Sequence, residues 1–175
     1  MNMQPGSGAT TTQIVACAVW CCDKKQYQLK KRGRSSSLNC QRLGSKKHSC
    51  VTHALRKHTK SGKLTTKTKY PGIKVPTKAV KVKVGRKTFM AKPDTILDGT
   101  RSVDVKFPCD SDEVKEKNQT LKNGQAAVYP SEKAGRTLMK DKEDKVYRKI
   151  PGIKSSTTMT PERAEEVKHK DCKCN

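Results

Sequence analysis

Apolar and polar positions alternate along this chain in different rhythms, and each rhythm predicts an element. Residues 1 to 13 are polar, with Gly and Thr, and read as a flexible leader. Ile14 to Cys22 is an unbroken apolar run, far too short to cross a bilayer. From Lys24 to Ser49 there is little periodicity. His48, Cys50, Val51, Ala54, Leu55 and His58 then mark a short amphipathic helix over 47–59, ended by Gly62. Ala79 to Val84 alternates Val with Lys, turns at Gly85-Arg86 and continues to Met90, which predicts a hairpin with a lysine-lined outer face. A second hairpin follows between Ala91 and Cys109. Asp98-Gly99 suits a type I′ turn flanked by Thr95-Ile96-Leu97 and by Ser102 to Phe107. Pro93 fits a strand end, having no N–H to give a ladder. Val103, Val105 and Phe107 alternate with Asp104 and Lys106, so the apolar three enter the core while the two charges share the other face.

Beyond this hairpin, Ser111 with Asp112 and Glu113 marks a helix start, and Ala126 to Tyr129 reads as a strand closed by Pro130. Thr160-Pro161-Glu162 opens a last helix running to about His169. Tyr70-Pro71-Gly72-Ile73-Lys74 recurs as Ile150-Pro151-Gly152-Ile153-Lys154, two similar turns rather than a duplicated module. The expected fold is a small α+β domain in which the two hairpins join in a mixed or antiparallel sheet, with helices before and after it. At 175 residues the chain holds one domain, divided here into a basic, Cys-containing extension over 1–46 and a domain over 47–175.

Charge changes this picture. The formal net charge is +23 with 4% aromatic residues, and the mean hydropathy is −0.87, so the core is modest and self-repulsion large. Residues 1 to 93 carry 22 of the 39 lysines and arginines against a single acid, Asp23, a balance of +21; the remainder is near neutral at +2. So basic a half suits a nucleic-acid backbone, gripped without regard to sequence and strongly dependent on salt. Lys81, Lys83, Arg86 and Lys87 on the first hairpin are the candidate phosphate contacts. A basic arm and an anionic-membrane binder are the plain alternatives.

Candidate chemistry lies where acids interrupt this surface. Asp94 can approach the face that carries Asp104 and Lys106. Two converging carboxylates repel unless protonated or bridged by a divalent cation, and hard oxygen ligands suit Mg²⁺ or Mn²⁺. A lysine beside them can orient a water or stabilise charge on a phosphate. Six acid-x-Lys triplets occur, starting at Asp23, Asp104, Glu113, Glu143, Glu166 and Asp171, yet only Asp104 combines the triplet with an alternating strand, a hairpin turn and a nearby Pro-Asp pair. The bland reading of Asp104 and Lys106 is a solvated ion pair worth under about 1 kcal/mol.

Pro93-Asp94 followed by Asp104-Val105-Lys106 resembles the signature of the PD-(D/E)xK, or restriction-endonuclease-like, nuclease superfamily. The compact form, with its Asp-Gly turn and Val-Asp-Val-Lys-Phe-Pro strand, is similar to nuclease domains of bacterial polymorphic and type VI secreted toxins. The resemblance covers roughly residues 78 to 130. It implies a restriction-endonuclease-like core, Mg²⁺ or Mn²⁺ held by Asp94, Asp104 and the Val105 carbonyl, and Lys106 acting on the attacking water. It also implies an endonuclease of little sequence specificity, with DNA as substrate and RNA as the alternative. As a toxin it would leave its cell without a classical signal peptide, act in the cytoplasm of a target cell and be answered by an acidic cognate immunity protein. Many members bring a further acid from an upstream helix. Here only Asp23 precedes Asp94, so either Asp23 serves, or the downstream Glu113, Glu116 or Gln119 does, or the site runs with fewer ligands; Gln125 and Tyr129 would lie beside the centre and touch substrate.

Three features stay outside that resemblance. His48, His53 and His58 are spaced five apart, about 140° around a helix from one another, and read as surface residues sharing no face. The eight cysteines, at 17, 21, 22, 40, 50, 109, 172 and 174, include no Cys-x-x-Cys, and the terminal Cys-x-Cys is a poor zinc-knuckle match. Disulfides clipping both chain ends to the core are the favoured reading, with zinc and free thiols left open. No basic stretch precedes the apolar run at Ile14, as a secretory signal would need. The rivals to a nuclease are therefore a non-catalytic basic nucleic-acid-binding protein and a disulfide-rich secreted protein acting on anionic membranes.

Overall fold

A computed structural model describes residues 3–25, 40–107 and 145–175. The apolar run at Ile14 forms α1 (Thr11–Lys24), opened by a capping box in which the Thr10 hydroxyl accepts from Gln13 N and the Gln13 side chain accepts from Thr10 N. Ile14, Val15, Ala16, Cys17, Ala18, Val19, Cys21 and Cys22 are all buried. A helix apolar on nearly every side belongs inside a core. The stretch expected as an extension thus supplies a core helix, packed against both α2 (Cys40–Leu55) and α3 (Pro161–Val167). α2 starts seven residues before the helix expected from periodicity and stops at Leu55, where the chain turns into a β-ribbon of β2 (Arg56–His58) and β3 (Leu64–Thr68). α3 is capped as expected, the Thr160 hydroxyl accepting from Arg163 N with Pro161 in the first turn.

The main sheet has four strands in the order β4 (Ile73–Lys74), β7 (Thr95–Leu97), β8 (Arg101–Val105) and β9 (Ser155–Met159). β4 and β8 run antiparallel to β7, and β9 runs parallel to β8, so the sheet is mixed. The two expected hairpins do form, but they do not share a sheet: β5 (Val80–Val84) and β6 (Lys87–Ala91) make a separate ribbon. Their places beside the central hairpin are taken by β4 and β9, the strands that follow the two Pro-Gly-Ile-Lys turns. Both turns are latched to the Asp98-Gly99 turn by backbone bonds, Asp98 N donating to Gly72 O at 2.7 Å and Lys154 N to Thr100 O at 2.7 Å. A last short ribbon joins β1 (Met3–Gln4) to β10 (Lys173–Cys174).

The central turn has the backbone its sequence predicts, with φ of 51° at Asp98 and 72° at Gly99. The N-terminal threonines of α1 clamp it: the Thr11 hydroxyl donates to Asp98 Oδ2, and the Arg101 guanidinium donates to Asp98, Thr11 and Thr12. Hydrogen bonds from Arg101 and Thr11 hold the Asp98 carboxyl below its ordinary range. Gly72 lies against the same clamp at φ 76°, where a Cβ would meet Asp98 Oδ1 at 2.8 Å and Thr11 Cγ2 at 2.9 Å, so only glycine fits.

Both faces of the sheet are covered. On one, Ile73, Leu97, Val103, Val105 and Met159 pack with the three helices. On the other, Ile96 packs with Val82 and Ala91 of the lysine ribbon and with Val146, Tyr147, Ile150 and Ile153 of the segment that begins with the helical turn at 145–147. β8 is therefore buried along Ser102, Val103, Asp104 and Val105, and the side of it expected to face solvent is closed by Tyr147. α1 is tied to the chain end by Cys17–Cys172 and Cys21–Cys174, and to α2 by Cys22–Cys50. The first two clip both ends of the chain to the core, as the cysteine reading expected. Among the described residues no helix is long and apolar enough to cross a membrane.

Candidate active site

The register of the hairpin sets the site. Thr95 pairs with Val103, Ile96 with Ser102 and Leu97 with Arg101, and the ladder stops short of Asp94, which precedes Thr95 at the end of the hairpin where Asp104 lies. Pro93, fully buried between β6 and β7, ends the ladder there and frees Asp94 to turn its carboxylate onto the neighbouring strand. Asp94 Oδ2 accepts from Val105 N at 2.7 Å. Asp104, 6% exposed, accepts from the Tyr147 hydroxyl at 3.1 Å through Oδ1, while the Lys106 ammonium lies 2.7 Å from its Oδ2. The two acids and the amine singled out in the sequence thus belong to one end of one hairpin.

Lys106 is the electrostatic link between them. Burial pushes the Asp94 carboxyl up, but the His48 ring beside it, the Val105 N–H and the Lys106 charge together pull it below the ordinary aspartate range. A carboxyl whose folded value is lowered adds stability that is complete above the unfolded value and is lost as pH falls through the folded one. Asp94→Asn is accordingly expected to lower stability near neutrality, where that contribution is complete, and to flatten the acid limb of a stability-against-pH curve, read by urea unfolding between about pH 7 and pH 3. An unchanged acid limb would show that Asp94 holds no such charge.

His48 was misjudged from the sequence. It lies on α2 with Nδ1 at 3.6 Å from Asp94 Oδ2 and its ring edge-on to Phe107 at 5.3 Å between centroids. Together with Val51, Thr52, Leu55, Val75, Thr95 and Val105 it lines a narrow crevice that reaches Asp94. His53 and His58 do meet, with ring nitrogens 3.3 Å apart. The helical spacing that separated them fails because α2 ends at Leu55 and His58 is on a strand. Tyr147 was also missed, since nothing local in Lys145 to Ile150 announces a partner 43 residues away.

No family model, curated protein or solved structure matches this chain.

The remaining expected contributors are scattered. The Asp23 carboxylate is engaged by the Lys47 ammonium at 2.6 Å, and Lys47 stands over the Phe107 ring, so Asp23 borders the site rather than joining its acids. Glu113, Glu116, Gln119, Gln125 and Tyr129 lie outside the described residues. Among the described residues no third Cys, His or acid completes a ligand cluster around Asp94 and Asp104. Lys81, Lys83 and Arg86 are exposed on the ribbon that leads through Lys92 to Asp94, and the backbone of Lys87 pairs with Val84.

The donor set nonetheless suits a hard cation. Asp94 offers an oxygen, Oδ1, outside its contacts with Val105 and His48, on a side chain one-third exposed. Asp104 adds a second carboxylate, whose oxygens already meet Tyr147 and Lys106 and would serve a cation by giving up the Lys106 contact, and the Val105 carbonyl follows it in the chain. Carboxylate and carbonyl oxygens are the donors Mg²⁺ and Mn²⁺ take, and here Asp94 is the partly open one while Asp104 is buried.

Proposed function

We propose that the protein is a metal-dependent nuclease that hydrolyses DNA phosphodiester bonds with little sequence preference, on a restriction-endonuclease-like core. The observation that carries this reading is the gathering of Asp94, Asp104 and Lys106 at one end of the motif hairpin, with Asp94 held by Val105 N and the Lys106 ammonium against Asp104. The mixed sheet that holds the motif hairpin, with helices before and after it in the chain, is compatible with such a core.

In this proposal Asp94, Asp104 and the Val105 carbonyl would hold Mg²⁺ or Mn²⁺, which supplies a Lewis acid for the phosphoryl oxygen and lowers the pKa of a bound water. The chain's own groups do the rest. Val105 N–H fixes the Asp94 carboxylate, and the Tyr147 hydroxyl fixes Asp104 from the buried side, so both acids present a set orientation. Lys106, one-third exposed, orients the attacking water and offsets charge growing on the phosphate. Lys81, Lys83 and Arg86 grip flanking phosphates by charge alone, which gives affinity without base reading. As a secreted antibacterial effector the protein would meet an acidic immunity protein on this basic face. Three disulfides are compatible with passage through an oxidising space.

The short Lys106–Asp104 pair favours one rival, a passive polyanion binder in which that pair is structural. Supercoiled plasmid separates the two. The disulfide-intact protein is expected to convert it to nicked or linear forms with Mg²⁺ or Mn²⁺, and EDTA to stop the conversion while leaving the salt-sensitive binding in place. Binding with no cleavage under any divalent cation would leave only the passive binder.

A further inference from the structure

The knot that ties α1 to the chain end has a second use, independent of the nuclease reading. Cys17 and Cys21 stand four apart on α1, one turn above the other on a single face. Cys174 lies on β10 and Cys172 just before it, the first exposed and the second buried. In the disulfide-bonded chain Cys17 is joined to Cys172 and Cys21 to Cys174. The Sγ atoms of Cys17, Cys21 and Cys172 all lie within 4.8 Å of one another, and these three residues are buried. The fourth sulfur is bonded to that of Cys21. Three of the four sulfurs therefore already lie close to the spacing of a tetrathiolate zinc centre, whose Zn–S bonds of about 2.3 Å set sulfurs about 3.8 Å apart, and Cys174, exposed on the terminal strand, is the one that closes in to complete it.

We infer that, once reduced, these four cysteines form a structural zinc site, so that the same junction is closed by two disulfides in an oxidising space and by Zn²⁺ in a reducing one. The exchange balances without further partners. Four thiols of the glutathione class give up four electrons and four protons to the two S–S bonds, leaving four protein thiols and two small-molecule disulfides. Zn²⁺ then takes the four sulfurs as thiolates and their four protons pass to solvent. The centre so formed carries two net negative charges, and its setting is cationic. Lys173 sits between two of the ligands, and the ammonium groups of Lys24 and Lys168 flank the Trp20 ring, next to Cys21, at 4.0 and 4.6 Å from its centroid. In a chain of net charge +23 a local anion lowers self-repulsion.

The site differs from the proposed hairpin site in chemistry, since soft thiolates select zinc and hard carboxylates select Mg²⁺ or Mn²⁺. Reduced full-length protein, held under nitrogen with a phosphine reductant, is titrated with Co²⁺ and then Zn²⁺. One equivalent of Co²⁺ is expected to raise the visible bands of tetrahedral tetrathiolate cobalt and to quench Trp20, the only tryptophan. Zn²⁺ should erase the bands, and native mass spectrometry should count one zinc per chain. Cys172→Ser is expected to lose the tetrathiolate spectrum, while Cys22→Ser, outside the four, keeps it. Far-UV circular dichroism follows the fold: if reduction loosens it, zinc should restore it. A reduced wild type that shows no tetrathiolate bands, folded or not, or a Cys172→Ser variant that keeps them, overturns the inference.

Discussion

Asp104→Ala and Asp104→Asn are each expected to lower Mg²⁺-dependent plasmid nicking by about a hundred- to a thousandfold, the scale at which removing one preorganised charged group from a reaction centre is felt. Lys106→Ala is expected to fall in the same range, because one ammonium serves the water and the phosphate together. The asparagine variant is the sharper of the two aspartate changes. It keeps the volume of Asp104 and an acceptor for the Tyr147 hydroxyl while removing the charge a cation needs. Tyr147→Phe should lose less, about ten- to a hundredfold, because Tyr147 acts only through the acid it orients. The graded order, aspartate and lysine first and tyrosine second, separates a working centre from a structural ion pair. A structural pair would show losses of stability in all four variants with no ordered loss of rate.

Opening the terminal knot is the second large effect. Cys17–Cys172 closes a loop of 155 residues and Cys21–Cys174 one of 153, and chain-entropy arguments value the first closure at about 5 kcal/mol. The two are not additive. Once one is closed, the other closes a ring of only a few residues, worth about 2 kcal/mol by the same relation. Replacing either pair by serine is therefore expected to cost about 2 kcal/mol, and replacing both about 7 kcal/mol. At about 2–4 °C per kcal/mol for a chain of this size, that is a drop in Tm of roughly 5 °C against 15–25 °C, measured calorimetrically with EDTA present to exclude zinc. Equal costs for the single and double removals would show that the ends are held by something other than the knot.

What the sequence revealed of this molecule follows a physical division between local and distant causes. The motif hairpin was legible because Asp98-Gly99 tolerates two positive φ values in succession and because Val103 and Val105 alternate with Asp104. The caps of α3 were legible for the same reason, being contained in Thr160 and Pro161. The strands beside the hairpin were not. β4 is two residues long and β9 pairs in parallel with β8 from far along the chain, so nothing local assigns either strand to the hairpin. α1 carried its signal openly, a capping box at Thr10 and Gln13 ahead of an apolar run, but the run was weighed as a membrane segment and not as a helix buried on nearly every side. α2 begins within the aperiodic basic stretch, where packing on α1 and the Cys22–Cys50 bond outweigh pattern.

The candidate site divides in the same way. Asp94, Asp104 and Lys106 belong to one hairpin, and hairpin register is a local property. His48 and Tyr147 reach the site from 46 residues before Asp94 and 43 after Asp104, and no periodicity in either segment points toward a carboxylate. His48 was read on a helix long enough to carry His58 as well; the helix ends three residues before His58.

The claim beneath this account is that the two acids at the hairpin end, Asp94 and Asp104, hold one hard cation beside Lys106. Titration of Mn²⁺ into the disulfide-intact protein, followed by electron paramagnetic resonance of the free ion, tests it without reference to any substrate. The account predicts one Mn²⁺ bound per chain by the wild type and loss of that binding in both Asp94→Asn and Asp104→Asn. A wild type that binds no Mn²⁺, or variants that bind it as well as the wild type does, would contradict it.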